Sequence, residues 1–215
     1  MLFRSYNFKS TRSVTLEMMI KHSLSARQGI SNSLIVVDMP YNTYNNPSQA
    51  LKNCKKVMKL TKCDAVKIEG GLKLIKIIKY LIKNKIPVMG HLGILPQSTR
   101  GKFKSKGKSI KERKEIIRDS KLLEEAGAFS IVLECVERTL AKQITNLIKI
   151  PTIGIGSSNN CDGQILVIDD VLGLTDSKIK FVKKFVDAKK LIAEGAKKFK
   201  AQVKFKKYPT KKYSY

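Results

Sequence analysis

Lys67 and Glu69 stand two positions apart in the run Asp64-Ala-Val-Lys-Ile-Glu-Gly-Gly71. The run has the length and apolar content of a short strand closed by a glycine turn, and successive side chains of a strand point to opposite faces. Lys67 and Glu69 therefore share one face, and Val66 and Ile68 the other. Buried charge is costly unless it is paired or bound to something. The pair is either a structural ion pair at a strand end or part of a site for a small anionic ligand, with or without a metal ion. Asp38, His91, Glu134 and Asp169 close other apolar runs in the same way. Mg2+ prefers oxygen ligands, takes one or two carboxylates and leaves positions for water and substrate. Asp38 and Glu69 suit that ion, with Lys67 placed to pair a substrate carboxylate. Glu134 lies in the most apolar run, Phe129–Val136, where desolvation raises a carboxyl pKa and suits a general base near neutral pH. A metal polarising a carbonyl, with a base close to the neighbouring carbon, gives enolisation. Any one of these acids taken singly could instead be a structural partner of a nearby lysine.

The elements that must position these residues alternate along the chain. Strands are expected at Ser33–Pro40, Asp64–Glu69, Lys85–Gly93, Ala128–Cys135, Ile150–Gly156 and Gln164–Asp169. Helices are expected at Ser13–Gln28, with Thr15 a plausible cap, and at Pro47–Leu60, with Pro47 in its first turn. Further helices are expected at Leu72–Asn84, Lys111–Gly127, Arg138–Ile148 and, Lys-rich and closing the chain, Lys178–Val203. Residues 94–109 hold Gly101, Gly107, Pro96 and several Lys or Arg residues, and suit an ordered loop or a lid. Gly154-Ile-Gly156 followed by Ser157-Ser158 fits either a phosphate-type turn or a plain tight turn. Alternating strands and helices argue for a parallel sheet covered on both faces. Polar residues gathered at strand ends favour a (β/α)8 barrel, whose chemistry sits at the C-terminal rim, over a doubly wound sheet.

A chain of 215 residues fits one domain, 1–215, and 42% hydrophobic content supplies a core. No apolar run has the length of a membrane span. Cys54, Cys63, Cys135 and Cys161 are scattered without zinc-type spacing, which fits free thiols in a reducing cytoplasm. The net charge of +26 is almost all Lys, spread over helix faces and alternating with Ile, Leu and Val. That distribution fits solvated helix faces better than a nucleic-acid surface, although the Lys-rich last helix with Phe199, Phe205 and Tyr208 is where RNA would bind.

Five stretches carry a resemblance: Val37-Asp-Met-Pro40, Val66-Lys-Ile-Glu-Gly-Gly71, Val88-Met-Gly-His-Leu-Gly-Ile-Leu-Pro-Gln-Ser98, Ala126-Gly-Ala-Phe with Val132-Leu-Glu-Cys-Val136, and Ile153-Gly-Ile-Gly156 with Asp162-Gly-Gln-Ile-Leu-Val167. Together they resemble the ketopantoate hydroxymethyltransferase family over roughly residues 13 to 175, and Gly101-Lys-Phe-Lys104 with Gly107-Lys108 resembles its lid segment. The resemblance implies a (β/α)8 TIM-type barrel. It also implies transfer of a hydroxymethyl group from 5,10-methylenetetrahydrofolate to 2-oxoisovalerate, the first step toward pantothenate, and a homo-oligomer. It implies Asp38 as a magnesium ligand that also meets the keto acid, and Glu69 as the further acid at the metal. Lys67 becomes the contact to the substrate carboxylate, His91 a residue lining the substrate pocket, and Glu134 the catalytic acceptor of the substrate proton.

The same resemblance sets three departures. The family has two βα units before the segment matching Ser10–Gly29, the second ending in a Gly-Asp-Ser motif that holds magnesium and keto acid. An incomplete barrel is therefore expected, with Met1–Lys9 the remainder of an upstream portion either lost or misread, a reading preferred to that of a transit peptide. Asp169 stands where the family usually has a histidine, and Tyr208–Tyr215 replaces an acidic-histidine turn. The alternative expectation is a non-catalytic remnant that acts only by folding or binding a partner.

Overall fold

The structure, a computed structural model, describes residues 8, 10–98 and 104–215. By its internal contacts the chain divides into two compact units, Met1–Ile165 and Leu166–Tyr215.

The first unit is built on six strands: β1 Val36–Asp38, β2 Ala65–Glu69, β3 Val88–Gly93, β4 Ser130–Glu134, β5 Thr152–Ile155 and β6 Gly163–Gln164. They form one sheet in the order β1-β2-β3-β4-β5-β6, and every neighbouring pair is parallel. A doubly wound sheet reverses its strand order part-way. This sheet does not, and its sequential order is that of a barrel wall.

Five helices of this unit follow the expected alternation: α1 Leu16–Gln28, α2 Pro47–Thr61, α3 Ile75–Lys83, α4 Ile110–Glu125 and α5 Arg138–Leu147. Four of these starts, all but that of α3, are set by side chains that satisfy free N–H groups of the first turn. Thr15 accepts from the Met18 N–H, Asn46 from Gln49 with Pro47 behind it, and Ser109 from Glu112. Residues Ser13 to Thr15 are not part of α1, because Thr15 is its extended cap and a 3-10 turn, Thr11–Ser13, precedes it. Leu72–Leu74 is likewise a 3-10 turn ahead of α3.

The sheet alternates as a strand period of two requires. Val37, Val66, Ile68, Val88, Ile131 and Leu133 are all buried and join a core with Ala50, Cys54 and Val57 of α2, Ile77, Ile78 and Leu81 of α3, Leu123 of α4, and Leu140 and Ile144 of α5. Gly90 belongs to this face, and a Cβ there would stand 2.9 Å from Leu123 Cδ1, so the glycine lets α4 approach. The opposite face carries Asp38, Lys67, Glu69, His91 and Glu134, as their register pairs show.

Two expectations near the C-terminus are corrected. Of the strand expected over Gln164–Asp169, only Gln164 is in a strand, as the last residue of β6 in the first unit, and the second unit has α6, Ile168–Val171, in its place. β6 pairs on one side with β5 and is the last strand of the described sheet, while Ile165 and Ile168 are more than half exposed. Without a second neighbour the apolar run has no reason to stay extended, and Asp169 and Asp170 suit the first turn of a helix. Asp169 is therefore a helix residue and not a strand terminus. The last helix, α7, spans Ala188–Lys204 and starts ten residues later than expected, where the Asp187 side chain caps Lys190 N–H. No residue of α7 is buried; Leu191, Ile192, Phe199 and Val203 are exposed, and Phe199 meets Tyr208 edge-on at 5.6 Å. Among the described residues, no helix is long and apolar enough to cross a membrane.

Candidate active site

Parallel register brings the strand-end residues together. Asp38 on β1 is the partner of Lys67 on β2, Glu69 of His91 on β3, and Gly93 of Glu134 on β4. Partners in register point to the same face, so four successive strands deliver Asp38, Lys67, Glu69, His91 and Glu134 to one side of the sheet at its C-terminal edge.

Lys67 is the centre of the group. Its Nζ lies 3.3 Å from Asp38 Oδ1 and 3.0 Å from His91 Nδ1. An ammonium can only donate, so Nδ1 must accept and the imidazole proton sits on Nε2. Burial first, and the Lys67 charge second, hold the His91 pKa well below its ordinary value, so the ring is neutral. Its Nε2 lies 3.2 Å from Glu134 Oε2, close but out of line for a good hydrogen bond. Lys67, His91 and Glu134 thus form a chain of contacts across three strands.

Both glutamates resist ionisation. Burial pushes the Glu134 carboxyl up to about 7, against the pull of Lys67 and with a further push from Asp38. Burial likewise raises Glu69 to about 7, while Lys67 and the Gln97 N–H hold it down and Asp38 and Glu134 raise it. A carboxylic acid near 7 exchanges protons readily at neutral pH, which is what a general acid or base needs.

The donor set fits a hard cation. Asp38 and Glu69 offer carboxylate oxygens from adjacent strands, and Asp38, although its Oδ1 faces Lys67, is half exposed and can still be reached by an ion. Mg2+ needs only one or two protein carboxylates. Among the described residues no three His, Cys, Asp or Glu side chains gather as a ready ligand cage, so water and substrate would have to complete its shell.

Two comparisons bear on what such a site belongs to. The family model described as ketopantoate hydroxymethyltransferase matches residues 3–211. A protein of Pelagibacter ubique named 3-methyl-2-oxobutanoate hydroxymethyltransferase is 62% identical over 210 residues, covering 98% of this chain and 81% of its own length. The chain belongs to the ketopantoate hydroxymethyltransferase family. A protein of the same name from Anaplasma marginale is 44% identical, over 98% of this chain and 76% of that protein. Among solved structures, 2,3-dimethylmalate lyase, a PEP mutase/isocitrate lyase superfamily member, superposes with a TM-score of 0.53 at 14% identity, over 72% of this chain and 57% of that one. That likeness concerns the fold alone.

Two residues of this family member's site have no counterpart among the sequence expectations. Gln97 and Tyr44 reach the acids from loops: Gln97 N–H donates to Glu69 Oε2 at 3.0 Å, and the Tyr44 hydroxyl donates to Gln97 Oε1 at 2.8 Å. Burial, reinforced by the Glu69 charge, raises the Tyr44 phenol, which stays a donor. Gln97 lies in the stretch Val88–Ser98 that carries the family resemblance, but as a loop residue after β3 nothing in its type or spacing pointed to the acids.

The serine after the GxG turn is engaged with the neighbouring strand end. Ser157 Oγ accepts from Val136 N–H at 2.9 Å and lies 3.1 Å from Val136 O, so its hydroxyl is engaged in joining two strand ends. Of the expected lid, Ile94–Ser98 and Lys104–Ser109 are described, and residues 99–103 lie outside the described residues. The Gly107 N–H donates to Glu112 Oε2 at 3.1 Å, which anchors that arm on α4.

Proposed function

We propose that this chain transfers a hydroxymethyl group from 5,10-methylenetetrahydrofolate to 2-oxoisovalerate, giving 2-dehydropantoate. The observation that carries the mechanism is the placement of Glu134, a buried carboxyl held near 7, on the same face as Lys67 and one histidine away from it. Lys67 pairs with the substrate carboxylate and orients the oxo acid. Glu134 then takes the proton from the branched carbon beside the keto group. The C–H electron pair becomes the enolate double bond, and the keto oxygen takes the charge. His91, neutral, lines the pocket and keeps its Nε2 hydrogen toward Glu134. The enolate carbon bonds to the methylene carbon as one of its two C–N bonds to the folate breaks. Water replaces the second nitrogen and leaves its hydroxyl on that carbon. The two freed nitrogens take one proton from Glu134 and one from the water, giving the hydroxymethyl product and tetrahydrofolate. Mg2+, held by Asp38 and Glu69, would supply Lewis-acid stabilisation of the enolate oxygen.

The six sequential parallel strands support a (β/α)8 barrel, with the site at the C-terminal rim. A homo-oligomer and a cytoplasmic location belong to the same proposal; Leu34 and Ile110, 71% and 75% exposed, are apolar surface that assembly would cover.

The test is Mg2+-dependent exchange of the proton of 2-oxoisovalerate in deuterated water, with or without folate. Exchange that vanishes in Glu134→Gln supports the assignment. A folded chain that exchanges nothing is a binding remnant, and a Glu134→Gln variant as fast as the parent removes Glu134 as the base.

A further inference from the structure

Three hydrogen bonds converge on Gln97 from elements on either side of the candidate metal site. Its main-chain N–H donates to Glu69 Oε2 at 3.0 Å, its carboxamide nitrogen donates to the Met39 carbonyl at 2.9 Å, and its carboxamide oxygen accepts from the Tyr44 hydroxyl at 2.8 Å. Chemistry sets the orientation of the amide: a main-chain carbonyl can only accept, so the nitrogen must face Met39 and the oxygen is left for the phenol. Gln97 and Met39 are both buried, where an unpaired polar group costs about 1–3 kcal/mol.

The position of these bonds matters more than their number. The β1–β2 ladder ends at Asp38 and Lys67, closed by the Met39 N–H donating to the Lys67 carbonyl at 2.9 Å. Glu69 stands two residues beyond that last rung. At the level of Glu69 it is therefore Gln97 that joins the two strand ends, holding Met39, next to Asp38, with one arm and the Glu69 carboxylate with its backbone. Tyr44, from the loop between β1 and α2, braces the arm.

We propose that Gln97, braced by Tyr44, is a positioning residue for this reaction: it pins one oxygen of Glu69 and sets the spacing of the β1 and β2 ends, so that Asp38 and Glu69 present their carboxylates together. The role rests on the hydroxymethyltransferase reading above. Glu69 Oε2 is taken up by the Gln97 N–H, so Oε1 is the oxygen that the clamp leaves for a cation. Removing the side-chain anchors frees the Gln97 backbone, and the Glu69 carboxylate loses its fixed direction while the sheet beneath stays intact.

The experiment compares the parent with Gln97→Met, Tyr44→Phe and the double variant in the proton-exchange assay. Gln97→Met lowers kcat by roughly tenfold or more, as loss of groups that orient metal ligands does, with KM changed by less than about twofold. Tyr44→Phe lowers kcat by a smaller factor, and the double variant is no worse than Gln97→Met, because the phenol acts through the amide. Hydrogen exchange at the Gln97 amide, slow in the parent, accelerates in Gln97→Met while the β2 and β3 amides and the Tm hold. A parental kcat in Gln97→Met overturns the role. So do strictly additive effects of the two substitutions, and so does a fall in Tm with the folded fraction fully active. If the parent itself exchanges no substrate proton, the hydroxymethyltransferase reading fails. The clamp is then judged on amide exchange alone, and unaltered protection in Gln97→Met sinks it as well.

Discussion

A Cβ added to Gly93 would stand 2.2 Å from the carbonyl oxygen of Glu134. Gly93 has a φ of +94° and is the register partner of Glu134, and the next N–H, from Ile94, donates to that same carbonyl at 2.8 Å. The glycine lets β3 leave the sheet while touching the backbone that carries the base. Gly93→Ala is both strained and sterically blocked, since the obstructing atom is backbone and cannot rotate away. It is expected to destabilise the fold by more than about 1 kcal/mol and to displace Glu134. Thermal denaturation and the exchange assay together check this; a variant with parental Tm and rate shows that the two backbones are not held as described.

Glu134 must be ionised to accept a proton, and its carboxyl sits at about 7. The rate of substrate exchange is expected to climb roughly tenfold per pH unit below 7 and to level off above it. Glu134→Gln should cost about two to four orders of magnitude across the whole range. A pH profile measured in parent and variant decides. A parental profile that is flat between pH 5 and 8, with Glu134→Gln still inactive, would show that another step hides the ionisation.

Stability should fall with rising pH in the absence of metal. Glu69 and Glu134 are raised from 4.5 to about 7, so between those values the folded chain holds protons that the unfolded chain has released. Each group then lowers the unfolding free energy by up to about 1.4 kcal/mol per pH unit, and the loss is complete above 7. Denaturant unfolding at pH 5 and pH 8 with chelator should show the lower midpoint at pH 8. Saturating Mg2+ should narrow the gap, because a cation favours the ionised acids and binds the folded state. His91, held neutral in the fold, works the other way below its ordinary value, because the unfolded ring takes up a proton that the folded ring does not, but one group of that sign opposes two of the other. A midpoint at pH 8 as high as or higher than that at pH 5 would mean that these carboxyls are not desolvated.

Ile78 is fully buried on α3 within the core on the far side of the sheet from the acids. Ile78→Ala should cost about 2–5 kcal/mol of stability while leaving the pH dependence of exchange in place, because no site side chain contacts that face. Chemical denaturation with a parallel activity profile checks both halves. A shifted pH profile would show that core packing, and not strand register alone, sets the site's electrostatics.

Much of this protein is legible from its amino acids. A charged or imidazole side chain inside an otherwise apolar strand stands out because burial without a purpose is costly, so Asp38, Lys67, Glu69, His91 and Glu134 could be singled out one by one. Period-two alternation also placed Lys67 and Glu69 on one face, with Val66 and Ile68 on the other. Thr15 and the Pro47 turn marked helix starts because capping is a local matter of a few residues. Which groups meet is a different kind of question. Lys67 forms its close contacts with Asp38 and His91 on neighbouring strands, and that choice follows from register between segments 29 and 24 residues apart in sequence. Gln97 and Tyr44 come from loops, where no periodicity says which way a side chain turns. The apolar run after Gln164 had the composition of a strand and became a turn and helix α6, because a strand is made by its neighbours and this one had a partner on a single side. Residue type and spacing determined what chemistry was available; only the packed sheet decided which charges face one another, because pairing depends on distances that the chain alone does not contain.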